Sequence, residues 1–147
     1  FAVALPKADT RSGDSSMHQL LACVLNYNLG VAYHRLAVLH NQKMDFEAAE
    51  DSYFRAVRAI RKLYESRETQ TIAFAATTHS LHVLLLSCFN NLGHLCAHMG
   101  CRKMVDYHRR MQVVFNQTDL HMLSQEEYLF FFMSLSMPPE NAVATAA

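Results

Sequence analysis

The stretch "LNYNLG" (residues 25–30) is followed later in the chain by the similar stretch "CFNNLG" (residues 88–93). Each lies in a segment whose apolar residues recur every three or four positions, which is typical of an amphipathic helix. Because glycine has no side chain, a neighbouring helix can approach each segment closely. The repeated Asn-Leu-Gly therefore predicts two helical hairpins, packed closely at Gly30 and at Gly93.

The composition around these stretches predicts an all-α fold. Of the 147 residues, 51% are hydrophobic, which is enough to build the core of one domain. The 4 glycines and 3 prolines leave a long interior with few helix breakers. We predict a lead-in over residues 1–15, one helical domain over 16–137 and a mobile tail over 138–147.

Charge and cysteine usage restrict the partners and the compartment. The 13 Lys and Arg balance the 13 Asp and Glu, so no long-range field attracts nucleic acid. The 4 cysteines form no C-x-x-C pair, which argues against a disulfide or zinc framework and favours a reducing, intracellular compartment. Because the chain begins at Phe1 and not at Met, we leave open whether a targeting segment precedes it, and we do not assign the compartment.

The periodic pattern predicts about five helices. In the first, Asn41 ends the helix and Asp45 caps the next one. The predicted core face of the first helix comprises Leu20, Leu21, Val24, Leu25, Asn28, Leu29, Ala32, Tyr33, Leu36 and either Leu39 or His40. The second places Phe46, Ala49, Tyr53, Ala56, Val57, Ile60, Leu63 and Tyr64 on one face.

The third helix lies in a segment without Asp, Glu, Lys or Arg from Thr69 to Cys101. An uncharged helix is covered on most sides or lies in lipid, so we predict a core helix that ends at Gly100. Membrane association through residues 72–89 is the alternative.

The fourth helix follows, with Met104, Val105, Met111, Val114 and Phe115 on its apolar face. Ser124 and Glu127 form the capping box of a fifth helix, which Pro138 and Pro139 end.

The first hairpin resembles a tetratricopeptide repeat. The series Phe46, Ala49, Tyr53 and Ala56 follows that family's alternation of aromatic and small residues, after a helix that contains the Asn-Leu-Gly. The second hairpin matches less well, since Arg109 and Gln112 stand where an aromatic and a small residue would be expected. The resemblance implies stacked antiparallel hairpins with lengthened helices.

The same resemblance implies that the first helix of each hairpin lines a concave groove that binds protein partners. Carried over by position, the groove residues of this chain are Tyr27, Val31, His34, Arg35, Asn90, His94 and His98.

The last helix is apolar all round, which favours a docking element over a simple terminal cap. The residues assigned to partner binding here are Tyr128, Phe130, Phe131 and Phe132. The alternative is that this helix closes the bundle as a buried fifth helix.

No catalytic motif is present, so we predict a protein that is not an enzyme and needs no cofactor. The predicted function is a non-catalytic adaptor, scaffold or accessory subunit, with protein partners in a larger complex or homo-oligomer. A rival is a metal- or ligand-binding protein centred on His94 and His98, with Cys101 as a third ligand. Another rival is a membrane-associated subunit that uses the uncharged third helix.

Overall fold

A computed structural model describes residues 14–65, 72–118 and 123–136, and these ranges contain helices and no strand. The helices are α1 (Asp14–His40), α2 (Lys43–Glu65), α3 (Ile72–His98), α4 (Met104–Gln117) and α5 (Gln125–Ser136). The predicted all-α class, built from helical hairpins, is confirmed.

The chain divides into two compact units, Phe1–Thr71 and Ile72–Ala147. The single domain over 16–137 stays a prediction. Most of the predicted lead-in and the whole predicted tail lie outside the described residues, but Asp14 and Ser15 already belong to α1.

In the first unit a two-residue turn joins α1 to α2 and makes them a hairpin. Asn41 adopts a left-handed φ of 50°, and its N–H donates to the carbonyl of Ala37 at 2.7 Å. Asn41 therefore ends α1 as predicted. The prediction that Asp45 caps α2 is wrong, because α2 begins at Lys43 and the N–H of Asp45 donates to the carbonyl of Gln42.

The face of α2 that packs against α1 was predicted correctly except for Val57 and Tyr64, which are half-buried. Its buried residues include Phe46, Ala49, Tyr53, Ala56, Ile60 and Leu63. The opposite face is charged and exposed, and Asp51 forms an ion pair with Arg55 at 2.7 Å. Burial of this apolar face stabilises the hairpin, whereas such exposed ion pairs contribute little.

The predicted core face of α1 is partly wrong. The buried residues of this helix are Leu20, Cys23, Val24, Tyr27, Gly30 and Ala37. Six predicted core residues are exposed instead, namely Leu25, Asn28, Leu29, Ala32, Leu36 and Leu39. The four leucines among them are between 40% and 76% exposed. The helix has apolar residues on two sides, and α2 packs on the side that contains Gly30.

In the second unit, α3 is largely buried between Leu81 and Cys96, as its lack of charge predicted. Its buried residues include Leu81, Leu84, Leu86, Cys88, Phe89, Leu92, Leu95 and Cys96. Gly100 ends the helix with a left-handed φ of 62°, while the N–H of Cys101 donates to the carbonyl of Cys96. This is the glycine-terminated arrangement expected at a helix C-terminus.

The helix α4 buries Tyr107, Met111, Val114 and Phe115. Val105 was assigned to this face but is exposed, because it lies outside the stripe that these four residues form.

The two repeated glycines differ in their surroundings. A Cβ atom at Gly30 would lie 2.7 Å from the ring of Tyr53, so that position requires glycine. A Cβ atom at Gly93 would meet nothing within 4 Å in the part of the chain that the structure describes. The predicted close helix packing is therefore confirmed at Gly30 and wrong at Gly93.

Candidate functional site

The part of the predicted groove that lies on α1 largely faces α2. Tyr27 is buried, with its ring centroid 6.0 Å from that of Tyr53. Nδ1 of His34 lies 3.4 Å from the Tyr53 hydroxyl, and Val31 is half-buried. Arg35 is exposed. Tyr27 is therefore a core residue, and of the four predicted groove residues on α1 Arg35 alone is well exposed.

The predicted groove residues on α3 also differ in their exposure. Asn90 is buried, whereas His94 and His98 are exposed. Partial desolvation, and secondly the charge of His98, lowers the pKa of His94 below its ordinary value. These two imidazoles share one side of the last turns of α3.

The described residues offer little for metal binding or nucleophilic chemistry. Across 14–65, 72–118 and 123–136, no group of three or more His, Cys, Asp or Glu could hold a metal ion. Cys101, proposed as a third ligand beside His94 and His98, is half-buried. Burial raises the pKa of Cys23 to about 11, so its thiol stays protonated and inert at neutral pH.

The two sides of α5 have different environments. Phe131 is 2% exposed, and the half-buried Tyr128 has its ring 5.7 Å from that of Phe115. On the other side Leu129, Phe130, Phe132 and Met133 are 45% to 58% exposed. We call these four residues the outer face of α5. Only one side of this helix is buried within the described residues, so it is not a fully buried fifth helix there.

Each end of α5 lies near a histidine of a different helix of its unit. At the C-terminal end, Nε2 of His108 on α4 donates to the carbonyl of Leu135 at 3.1 Å. At the N-terminal end, Nε2 of His79 on α3 lies 4.0 Å from the carboxylate of Glu127, which is too far for a hydrogen bond. The His108 hydrogen bond and the buried Phe131 therefore orient α5 on its unit.

The predicted capping box of α5 is confirmed. The N–H of Ser124 donates to the Glu127 carboxylate at 2.9 Å, and the N–H of Glu127 donates to the Ser124 hydroxyl at 3.2 Å. These reciprocal bonds satisfy two backbone donors at the start of the helix. Pro138 and Pro139 lie outside the described residues.

A second exposed apolar surface, on α1, was missed by the sequence reasoning. Leu25, Leu29, Leu36 and Leu39 lie on the side of α1 that faces away from α2. The sequence contained a signal for it, since Arg35 is the only Asp, Glu, Lys or Arg between Met17 and His40. A helix with one solvated face would be expected to carry more charge there.

No protein-family model matches the chain, and comparison with curated proteins and with solved structures finds no significant match. Among the described helices, including the described part of the uncharged segment 72–89, none is long and apolar enough to cross a membrane.

Proposed function

We propose that this chain is a non-catalytic interaction module, an adaptor or accessory subunit, that binds a protein partner through the outer face of α5. The observation that carries the proposal is the exposure of Leu129, Phe130, Phe132 and Met133 on a helix whose opposite side contains the buried Phe131. Large apolar side chains that lie together at a surface are typical of protein interfaces.

The composition of α5 supports this reading. After Glu127 the helix carries no charged residue, although half of its surface is exposed. The exposed side of α2, in contrast, carries Asp51, Arg55 and Arg58. Aromatic residues are enriched at interfaces and charged residues are depleted there, so α5 has the composition of an interface and α2 that of a solvated surface.

The orientation of α5 also favours binding. Because Phe131 is buried and His108 bonds to the carbonyl of Leu135, the helix is oriented with its outer face toward solvent. A preformed surface loses less conformational entropy on binding than a mobile one.

The relationship to tetratricopeptide repeats is part of the same proposal. It is supported by the first hairpin, where Gly30 accommodates Tyr53 and where Ala49 and Ala56 are buried. The open surroundings of Gly93 give the second hairpin no such support.

The test is quantitative co-purification of the tagged full chain from cells of its source. The chain is compared with a variant that carries Leu129→Gln and Met133→Gln, and with the matched control Val113→Gln on α4. Val113 is 51% exposed, so the control removes a similarly exposed apolar side chain from another helix. Circular dichroism and Tm establish that all three proteins fold alike.

We expect defined proteins to co-purify with the unaltered chain and with the control, and to be lost at least tenfold with the α5 variant. Equal recovery from all three proteins would refute the role of this face.

A further inference from the structure

The exposed side of α1 carries a second apolar surface, separate from α5. Leu25, Leu29, Ala32, Leu36 and Leu39 are all exposed and follow one another at alternating spacings of four and three residues. We call these five residues the α1 stripe. This spacing is that of the seam between two helices that pack side by side along their length.

The α1 stripe is nearly symmetric about its centre. Leu25 and Leu39 lie seven residues before and after Ala32, and Leu29 and Leu36 lie three before and four after it. A two-fold axis through Ala32 would therefore place each leucine of one copy opposite a leucine of an antiparallel second copy. A surface that is complementary to itself in this way is the requirement for a symmetric dimer.

We propose that the α1 stripe binds a second copy of this chain, with the two α1 helices antiparallel and crossing at Ala32. In this dimer Leu25 packs against Leu39 of the second copy, and Leu29 packs against its Leu36. The small side chain of Ala32 lies on the axis, where it lets the two helices approach closely.

The charges next to the stripe permit this pairing. Arg35 is the only formally charged residue from Met17 to His40, and the chain has a formal net charge of zero. In the antiparallel arrangement the two Arg35 side chains start about 9 Å apart along the helix axis, so they need not meet. Each instead lies near Asn28 of the other copy, whose amide oxygen accepts hydrogen bonds.

The scarcity of charge beside the α1 stripe argues against a different protein as its partner. Heterologous helix pairs are commonly selected by complementary charged residues beside the seam. The residues beside the α1 stripe are Asn26, Asn28, Tyr33 and Arg35, so a single formal charge is available for such selection. Pairing with a second copy needs no complementary charges, because the symmetry of the stripe makes the surface complementary to itself.

The size of the surface predicts a weak dimer. The exposed fractions of the four leucines amount to about two complete leucine side chains per copy. Even with its polar rim, such a contact is smaller than stable specific interfaces, which bury about 1,200 Å² or more in total, and has the size of weak, transient ones. We therefore expect a dissociation constant in the micromolar range.

The first test is sedimentation equilibrium of the purified full chain over about 1 to 300 µM, a range that brackets the expected dissociation constant. The chain is compared with Leu29→Gln/Leu36→Gln and with the α5 variant Leu129→Gln/Met133→Gln. We expect a monomer–dimer equilibrium that the α1 variant weakens at least tenfold and that the α5 variant leaves unchanged.

Three results would overturn the proposal. The first is a monomer throughout the range, and the second is a dimer that is lost with the α5 variant instead. The third is an α1 variant whose Tm is clearly lower even at about 1 µM, where dimerisation adds little stability, because another part of the same chain would then cover the stripe. The second result would make the α5 face the site of self-association, whereas the other two leave that face to its own co-purification experiment.

The second test determines the orientation by disulfide formation in a Cys101→Ser background, where the three remaining native cysteines are buried. Ala32→Cys should crosslink to itself under mild oxidation, because both copies place that residue on the axis. Leu25→Cys should not crosslink to itself but should crosslink to Leu39→Cys in a mixture. Self-crosslinking of Leu25→Cys would overturn the antiparallel dimer in favour of a parallel one.

Discussion

The ring of Tyr53 lies directly over the backbone of Gly30, so close that a Cβ atom at residue 30 would be 2.7 Å from Cδ1 and Cε1 of the ring. The ring is buried, and its hydroxyl lies 3.4 Å from Nδ1 of His34. This contact determines which side of α1 packs against α2, because only glycine leaves room for the aromatic ring.

We therefore expect Gly30→Ala to destabilise the protein by about 2 kcal/mol, because the added methyl group forces the Tyr53 ring to move. This cost exceeds the gain from alanine, which is the better helix former. Gly93→Ala is the matched control, and we expect it to be neutral or to stabilise by about 0.5 kcal/mol, since nothing described crowds that position. Urea denaturation of the three proteins measures both changes. Equal effects at the two glycines would contradict the packing described for Tyr53.

The division of α5 into a buried and an exposed side predicts unequal effects of two neighbouring phenylalanines. Phe131→Ala should cost about 3 kcal/mol, because it leaves a cavity beneath the helix. Phe132→Ala should cost less than about 1 kcal/mol, because its ring is 45% exposed. Thermal denaturation compares the two, and a larger loss from Phe132→Ala would reverse the assigned orientation of α5.

The capping box predicts a local effect on α5. Ser124→Ala removes the hydroxyl that accepts the N–H of Glu127, and it should cost about 1 kcal/mol. Ser134→Ala is the control, because the Ser134 hydroxyl donates back to the Phe130 carbonyl within the helix. Amide hydrogen exchange should become faster across α5 in the first variant and stay unchanged in the second. Unchanged exchange in both variants would show that the cap does not limit the fraying of the helix.

The position of His82 on α3 predicts a pH dependence of stability. Desolvation by burial, and secondly the charge of His79, lowers the pKa of His82 below its ordinary value of 6.5. The unfolded chain therefore binds a proton more readily than the folded chain does, so acidification favours unfolding. The contribution is fully present above pH 6.5 and is lost as the pH falls through the lowered pKa.

His82→Gln should consequently lose less stability than the unaltered chain when the pH is lowered from about 7.5 to 5.5, since it lacks this titration. Urea denaturation at several pH values measures the difference, and the other histidines are the same in both proteins. If His82→Gln lost as much stability on acidification as the unaltered chain, or more, the assigned environment of His82 would be contradicted.

Local patterns in the sequence were sufficient to predict much of this fold. The scarcity of glycine and proline predicted helices, the single apolar face of α2 predicted its buried residues, and Ser124 with Glu127 predicted the start of α5. In each case the physical signal lies within a few residues of the feature that it determines.

Features that depend on a choice between two similar surfaces were not predictable in the same way. Helix α1 has apolar residues on both sides, so its period does not reveal which side meets α2 until the contact of Gly30 with Tyr53 is known. Gly93 is preceded by the same Asn-Leu pair as Gly30 but does not make the same contact. Tyr27 and Asn90 were predicted to line the groove but are buried, and the prediction failed for a related reason. A position carried over from a family pattern does not specify how the helix is rotated about its own axis.

The central claim, that the outer face of α5 meets a protein partner, is tested most directly by site-specific photocrosslinking in cells of the source. A photoreactive amino acid replaces Phe132 on α5 or, as the control, Arg58 on the exposed side of α2. The account predicts one or a few defined crosslinked proteins from position 132 and none of them from position 58. The same products from both positions, or no product from position 132 in the folded protein, would contradict it.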